Sequence, residues 1–133
     1  MANEAVIIEL FNGGRPMDFT CADGTTIEKG TLLELTSPRT VIANTNDNAP
    51  VVGIAAAEKV ASDGATTIAA YTDGIFDMLT DTGTDSVGAM MANSATENTV
   101  QGADATDVIQ GSVVGKVLET CTNAGTHAIR VNL

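Results

Sequence analysis

Thr67-Ile68-Ala69-Ala70-Tyr71-Thr72-Asp73-Gly74-Ile75-Phe76-Asp77-Met78-Leu79 is the stretch on which the fold turns. Two short apolar runs flank an Asp-Gly pair, a strong local turn signal, and neither run is long enough for an ordinary helix. The pattern predicts a hairpin with Thr72-Asp73-Gly74 at its tip. Side chains alternate between faces along a strand, so Ile75 and Met78, or Phe76 on the opposite face, are expected in the core.

The same grammar repeats outward in both directions. Ala5–Phe11, Thr31–Leu35, Val51–Ala57, Val113–Leu118 and Ala128–Leu133 are short runs rich in Val, Ile, Leu and Thr. Gly13-Gly14, Asp23-Gly24, Ser37-Pro38, Asn44–Pro50, Asp63-Gly64 and Asn123–Gly125 punctuate them. Short β-formers between turn residues predict an all-β domain with little helix. Thr31–Leu35 and Val41–Ala43 around Ser37-Pro38-Arg39 read as a hairpin whose proline presets the turn. Val51–Ala57 is almost continuously apolar and reads as a strand buried on both faces. Lys59–Thr66 begins like a short helical turn that Asp63-Gly64 stops. Met90–Asp107 is weakly patterned and reads as a long loop with one short strand. The chain ends in alternation, with Ile129, Val131 and Leu133 on one face and Arg130 and Asn132 on the other. That is a half-buried strand suited to closing a small barrel.

A length of 133 residues fits one domain with one core. Residues 1–24 differ from the body at 25–133: Val6-Ile7-Ile8-Glu9-Leu10 is strand-like, and Asn12-Gly13-Gly14-Arg15-Pro16 uncouples it from that body. It is either an extended arm that pairs outside its own domain or the first strand of the sheet, and the residues favour neither. With aromatic content of 3% and no Trp, the core must be aliphatic, and platforms for stacking sugars or bases are few. The net charge is −11, and between Lys59 and Lys116 the chain carries eight acids and no base. Such a surface repels phosphate backbones and favours solubility, so no nucleic-acid partner is expected.

The acidic start, with no basic residue before Arg15, lacks a secretory n-region, and no apolar run reaches the roughly 20 residues of a membrane span. The expectation is a soluble protein maturing in the cytoplasm of the cell that makes it, without a membrane partner. Cys21 and Cys121 lack metal-ligand spacing and are expected as buried free thiols, with a single bridge as the alternative.

Three constellations invite a chemical reading. Asp81-Thr82-Gly83 is the tripeptide of aspartic proteases, which in a dimer would supply one carboxylate per chain to a shared dyad. Thr80 before it and Thr84 after it depart from that pattern, and a turn in an Asp- and Thr-rich chain explains it better. Asn44-Thr45-Asn46-Asp47-Asn48 offers clustered oxygens but lacks the glycine and terminal glutamate of an EF-hand loop, so it reads as a β-connection. His127 stands without a Cys or Asp at fixed spacing, and the glycines form neither a phosphate-binding loop nor a nucleophile elbow. No catalytic residue, metal ligand or cofactor is therefore assigned.

The order of several segments resembles the small head-decoration, or capsid cement, proteins of tailed bacteriophages. The likeness runs through Met1–Val6, Thr26–Leu33, Leu35–Thr40, Val52–Ala55, Glu58–Gly64, Ala70–Asp77 and Gly111–Thr120, and is weakest between Leu79 and Asp107. The resemblance implies a compact barrel-like or β-tulip domain with an extended N-terminal arm. It also implies a homotrimer on the outer surface of the virion, made in the host cytoplasm, with the major capsid protein as partner. Its action would be to clamp capsomers without chemistry. Val6, Ile7, Ile8, Leu10 and Arg15 are then the candidate contacts, since an apolar strand followed by Gly-Gly suits strand addition to a neighbour. A virion-surface module that adheres to glycans or host material is the alternative binding reading, and the dimeric protease at Asp81 the remote enzymatic one.

Overall fold

A computed structural model describes residues 3–11, 14–81, 83–122 and 124–133. The protein is nearly all-β, with one short helix among the described residues. In chain order the strands are β1 (Val6–Glu9), β2 (Met17–Thr20), β3 (Leu32–Ser37), β4 (Thr40–Ala43), β5 (Val51–Ala55), β6 (Thr67–Tyr71) and β7 (Asp73–Thr80). They continue as β8 (Thr84–Asp85), β9 (Met90–Asn93), β10 (Thr99–Gly102), helix α1 (Ala105–Gln110), β11 (Val113–Val117), β12 (Cys121–Thr122) and β13 (Gly125–Asn132).

Two closed rings of strands make up the molecule. The first is a barrel in the order β2-β4-β3-β5-β6, closed by antiparallel pairing of β6 with β2. The second runs β7-β10-β9-β11-β13 and closes where β13 pairs with β7 along its whole length, from Gly125↔Thr80 to Asn132↔Asp73. Strand β1 lies outside that ring, added to β7.

The stretch Thr67–Leu79 is therefore not a hairpin. Strands β6 and β7 do not pair with each other; β6 belongs to the first ring and β7 to the second. Thr72 lies between them, and Gly74 at φ 147° supplies a bend without reversing the chain. A Cβ at Gly74 would meet the Glu9 carbonyl oxygen at 2.9 Å and the Phe76 ring at 3.0 Å, so the position admits glycine for space as well as for φ. One near-continuous extended segment is thus shared by both rings.

Alternation settles the burial along β7. Gly74, Phe76, Met78 and Thr80 are buried, while Ile75, Asp77 and Leu79 are half-buried. The expected pairing of Ile75 with Met78 is corrected: an odd and an even position cannot share a face at period two. Ile129 and Val131 are buried as expected, but Leu133 lies beyond β13 and is exposed.

Each ring has its own apolar interior. Phe19, Cys21, Ile27, Leu33, Val41, Ala55, Ile68 and Ala70 fill the first. Phe76, Met78, Met91, Val100, Val114, Val117, Cys121, Ile129 and Val131 fill the second, and Leu32, Val51 and Ile54 join them. Adjacent residues of β3 and β5 point opposite ways: Leu33 and Ala55 into the first ring, Leu32 and Ile54 towards the second. That is why Val51–Ala55 is apolar at nearly every position. The Ser37-Pro38-Arg39 hairpin joins β3 to β4 as expected, with Arg39 at φ 52° in the turn.

Other connections differ from expectation. Lys59–Thr66 forms no helical turn; Ile27 and Lys59 make an isolated antiparallel bridge, followed by a turn. Met90–Asp107 contains two paired strands, β9 and β10, and enters α1. The helix is set by an Asp104 cap whose carboxylate accepts from Thr106 and Asp107 amides, while the Asp107 carboxylate accepts from the Asp104 amide. Such a reciprocal cap normally shows as Ser/Thr followed by Glu, and two aspartates disguise it. Cys21 and Cys121 are free and buried, one in each interior.

Candidate interaction edge

Of the five candidate contacts, Val6, Ile7, Ile8 and Leu10 lie on or just after β1, beside the second ring, and Arg15 lies shortly before β2 of the first. Strand β1 is antiparallel to β7, with Val6 opposite Asp77, Ile7 opposite Phe76 and, after a bulge, Glu9 opposite Ile75. Ala5 anchors its start: the side chain is buried, and the amide donates to the Gly30 carbonyl at 2.8 Å. A Cβ at Gly30, φ 91°, would sit 2.6 Å from the Ala5 oxygen, so glycine is needed for this close approach. Leu10 packs against the second interior.

Between these anchors the strand is solvent-facing. Val6 is 60%, Ile7 36% and Ile8 49% exposed. Among the described residues β1 pairs with β7 alone, so its outer backbone edge is open. Soluble proteins usually blunt such edges with charge or proline. Strand β1 keeps three β-branched apolar residues in a row.

Beyond β1 lies a charged end. The Arg130 guanidinium stacks over the Phe11 ring at 4.7 Å and pairs with the Asp73 carboxylate at 2.9 Å. Arg15 is exposed and lines, with Phe11, Thr72 and Asp73, a cleft of about 440 Å³. A second cleft of about 440 Å³ at the start of β1 is lined by Glu4, Ala5, Val6, Ile7 and Lys29. Residues 1, 2, 12 and 13 lie outside the described residues, so Gly13 of the expected Gly-Gly uncoupler does too. Sequence alone does not single out Phe11, Asp73, Arg130 and Lys29 as parts of this edge. Arg130 stands on the polar face of the last strand, but only the β13–β7 pairing brings it to Phe11.

The constellations with possible chemistry are arranged differently. Asp81 follows β7, its amide donating to the Val100 carbonyl at 2.8 Å. Thr82, the middle of the Asp-Thr-Gly tripeptide, lies outside the described residues. His127 Nδ1 is 2.9 Å from the Thr80 hydroxyl, which donates to the Gly125 carbonyl at 3.0 Å. Cys121 lies near the same Thr80, whose hydroxyl slightly favours the thiolate. Burial pushes the Cys121 thiol up, and the Asp85 and Glu119 carboxylates add to it, the reverse of what an activated nucleophile requires. Burial likewise raises Cys21.

Beside the first ring, where it bridges to Ile27, Lys59 is almost fully buried. Its ammonium donates to the Asp23 and Val60 carbonyls at 2.9 and 3.1 Å and to Asp63 Oδ1 at 3.0 Å. Burial opposes the charge, but the Asp63 bond and the Asp63 and Asp23 carboxylates outweigh it and hold the ammonium above its usual range. The Ala65 amide and Lys59 in turn hold Asp63 below the usual carboxylate range. These partners make the cluster a fastening for the ring.

No helix among the described residues is long and apolar enough to cross a membrane. In comparison with known proteins, the chain matches no family model and no curated sequence.

Proposed function

We propose that this chain is a capsid decoration, or cement, protein. It binds the outer surface of an assembled phage head as a homotrimer, contacts the major capsid protein and stabilises the shell by cross-bridging capsomers, without catalysis. The observation that carries the reading is the outer edge of β1, which pairs with no strand among the described residues and where Val6, Ile7 and Ile8 are exposed. An extended segment of a neighbour can pair there through main-chain hydrogen bonds while covering apolar side chains. The ordered likeness to cement proteins, from Met1–Val6 to Gly111–Thr120, supports a capsid subunit as that neighbour. A net charge of −11 suits the outer face of a shell whose lumen holds nucleic acid.

Avidity supplies the mechanism. One edge strand and an exposed arginine make a modest contact, since surface ion pairs contribute about 0–1 kcal/mol. Three copies related by symmetry engage several capsid subunits at once, and the later contacts become effectively intramolecular. Binding the assembled lattice but not its dispersed subunits shifts the equilibrium towards the shell. The test is reconstruction of undecorated heads with and without added protein. Added threefold density with β1 against the capsid protein is the expected result; heads that take up no density, or density at another axis, would overturn it.

A further inference from the structure

The Asn-rich connection Asn44–Asn48 gains partners that its sequence cannot show. Glu34, on β3, faces it and is 4% exposed. Asn44 Nδ2 donates to Glu34 Oε2 at 2.6 Å and Asn46 Nδ2 to Glu34 Oε1 at 3.0 Å. Asn93, from β9 of the other ring, donates through Nδ2 to the Asn46 carbonyl at 2.7 Å, and Asn44 Nδ2 shares that carbonyl at 3.0 Å. Two further bonds cross the same joint: the Leu32 amide to Asn98 Oδ1 at 2.9 Å, and Gln101 Nε2 to Asp47 Oδ1 at 3.1 Å.

The donors run out here. Asn44 and Asn93 are 1% and 0% exposed, and the Oδ1 atom of each has no donor among the described residues. Reversing either carboxamide does not help. It would set Asn44 Oδ1 against the Glu34 carboxylate, or Asn93 Oδ1 against the Asn46 carbonyl. The amide orientations are fixed by their acceptors, and the orphan oxygens with them. Glu34 itself has two neutral amide donors and, among the described residues, no ion pair. A buried carboxylate without a counter-charge, bonded to the Asn44 amide and linked through the Asn46 carbonyl to that of Asn93, sits in one network with two buried oxygens without donors, an arrangement short of positive charge.

We propose that this joint between the rings is a binding site for a hard cation, with Glu34 as its anionic ligand and the Asn44 and Asn93 side-chain oxygens as neutral ones. The donors are all oxygen, which suits alkali and alkaline-earth ions and not thiol- or imidazole-seeking metals. Among the described residues no three or more His, Cys, Asp or Glu gather for a metal, and here amides take the place of extra acids. One carboxylate with irregularly placed carboxamides fits calcium or sodium better than magnesium, which demands near-octahedral geometry and keeps its water. The site is independent of the capsid reading, and its consequence is local: a bound ion would fasten the Asn44–Asn48 connection of one ring to β9 of the other.

The experiment is thermal unfolding of the full chain after EDTA treatment, with CaCl2, MgCl2 or NaCl added at ionic strength held constant by choline chloride, together with calorimetric titration by CaCl2. The expected result is one strong calcium equivalent per chain and a midpoint that climbs with the logarithm of calcium concentration. A sodium-specific rise without a calcium rise would assign the same site to the monovalent ion. Glu34→Gln, which keeps the shape and removes the charge, should flatten the dependence, and Asn93→Ala should weaken it if the first variant folds poorly. A midpoint indifferent to every cation overturns the proposal. So does a calcium rise that survives Glu34→Gln, which would mark diffuse binding to surface carboxylates.

Discussion

At the residue scale, Phe76 fastens the second ring and Lys59 the first. Phe76 is fully buried in the second interior and lies 6.0 Å, ring to ring, from Tyr71 of the first ring. Phe76→Ala should cost about 3–5 kcal/mol, a large share of a small domain's stability, as read from denaturant unfolding. A variant unfolding like the parent would show that the aliphatic neighbours carry the core without it. The Lys59 cluster sets a pH window. Asp63 is held below its unfolded value, so its contribution is present above about pH 4 and is lost as acid protonates it. Lys59 is held above its unfolded value, so its contribution is complete below about pH 10 and is lost as alkali removes the proton. Lys59→Met should lower the melting midpoint near neutrality and reduce the fall-off in acid; an acid limb unchanged from the parent would count against the ion pair. Phe76 is legible in sequence as a core candidate from its place in an alternating run. Lys59 is not, because a lysine in a turn-rich segment looks solvated until Asp23, 36 positions away, is brought to it.

At the element scale, the legible features are those that local chemistry decides alone. Pro38 and the left-handed Arg39 turn the β3–β4 hairpin, and alternation places Ile129 and Val131. Thr67–Leu79 mimics a hairpin because an Asp-Gly pair serves equally for reversal and for a bend, and the choice depends on β13 and β2, neither of them local. The Asp104 cap is hidden because its reciprocal partner is Asp107, an atypical residue at that position. The site is legible in part: the apolar run of β1 stands out in sequence, whereas the Phe11–Arg130–Asp73 cluster needs the closed ring. Ile8 is about half exposed, so Ile8→Asp should change folding stability by no more than about half a kcal/mol while charging the open edge. On undecorated heads its occupancy should fall well below that of the parent in a binding titration. Equal occupancy for a folded Ile8→Asp would move the contact away from β1.

At the scale of the whole molecule, two rings behave as one unit because they trade side chains. Leu32, Val51 and Ile54 come from strands of the first ring and are buried with the second. Calorimetric melting should therefore show a single transition, with equal van't Hoff and calorimetric enthalpies. Two resolved transitions would mean that the shared segment and these three side chains couple the rings only loosely. The division of strands also fixes an order of manufacture. Every strand of the first ring lies between Met17 and Tyr71, while the second cannot close until β13, ending at Asn132, pairs with β7. On the ribosome the first barrel can form while the second is still being translated, and it then holds out Asp73–Thr80 as a half-made template. Residues 6–9, synthesised before either ring, find their pairing strand there. Closure of the second barrel waits until Asn132 has left the exit tunnel, so a nascent chain stalled short of it would carry an open, adhesive rim.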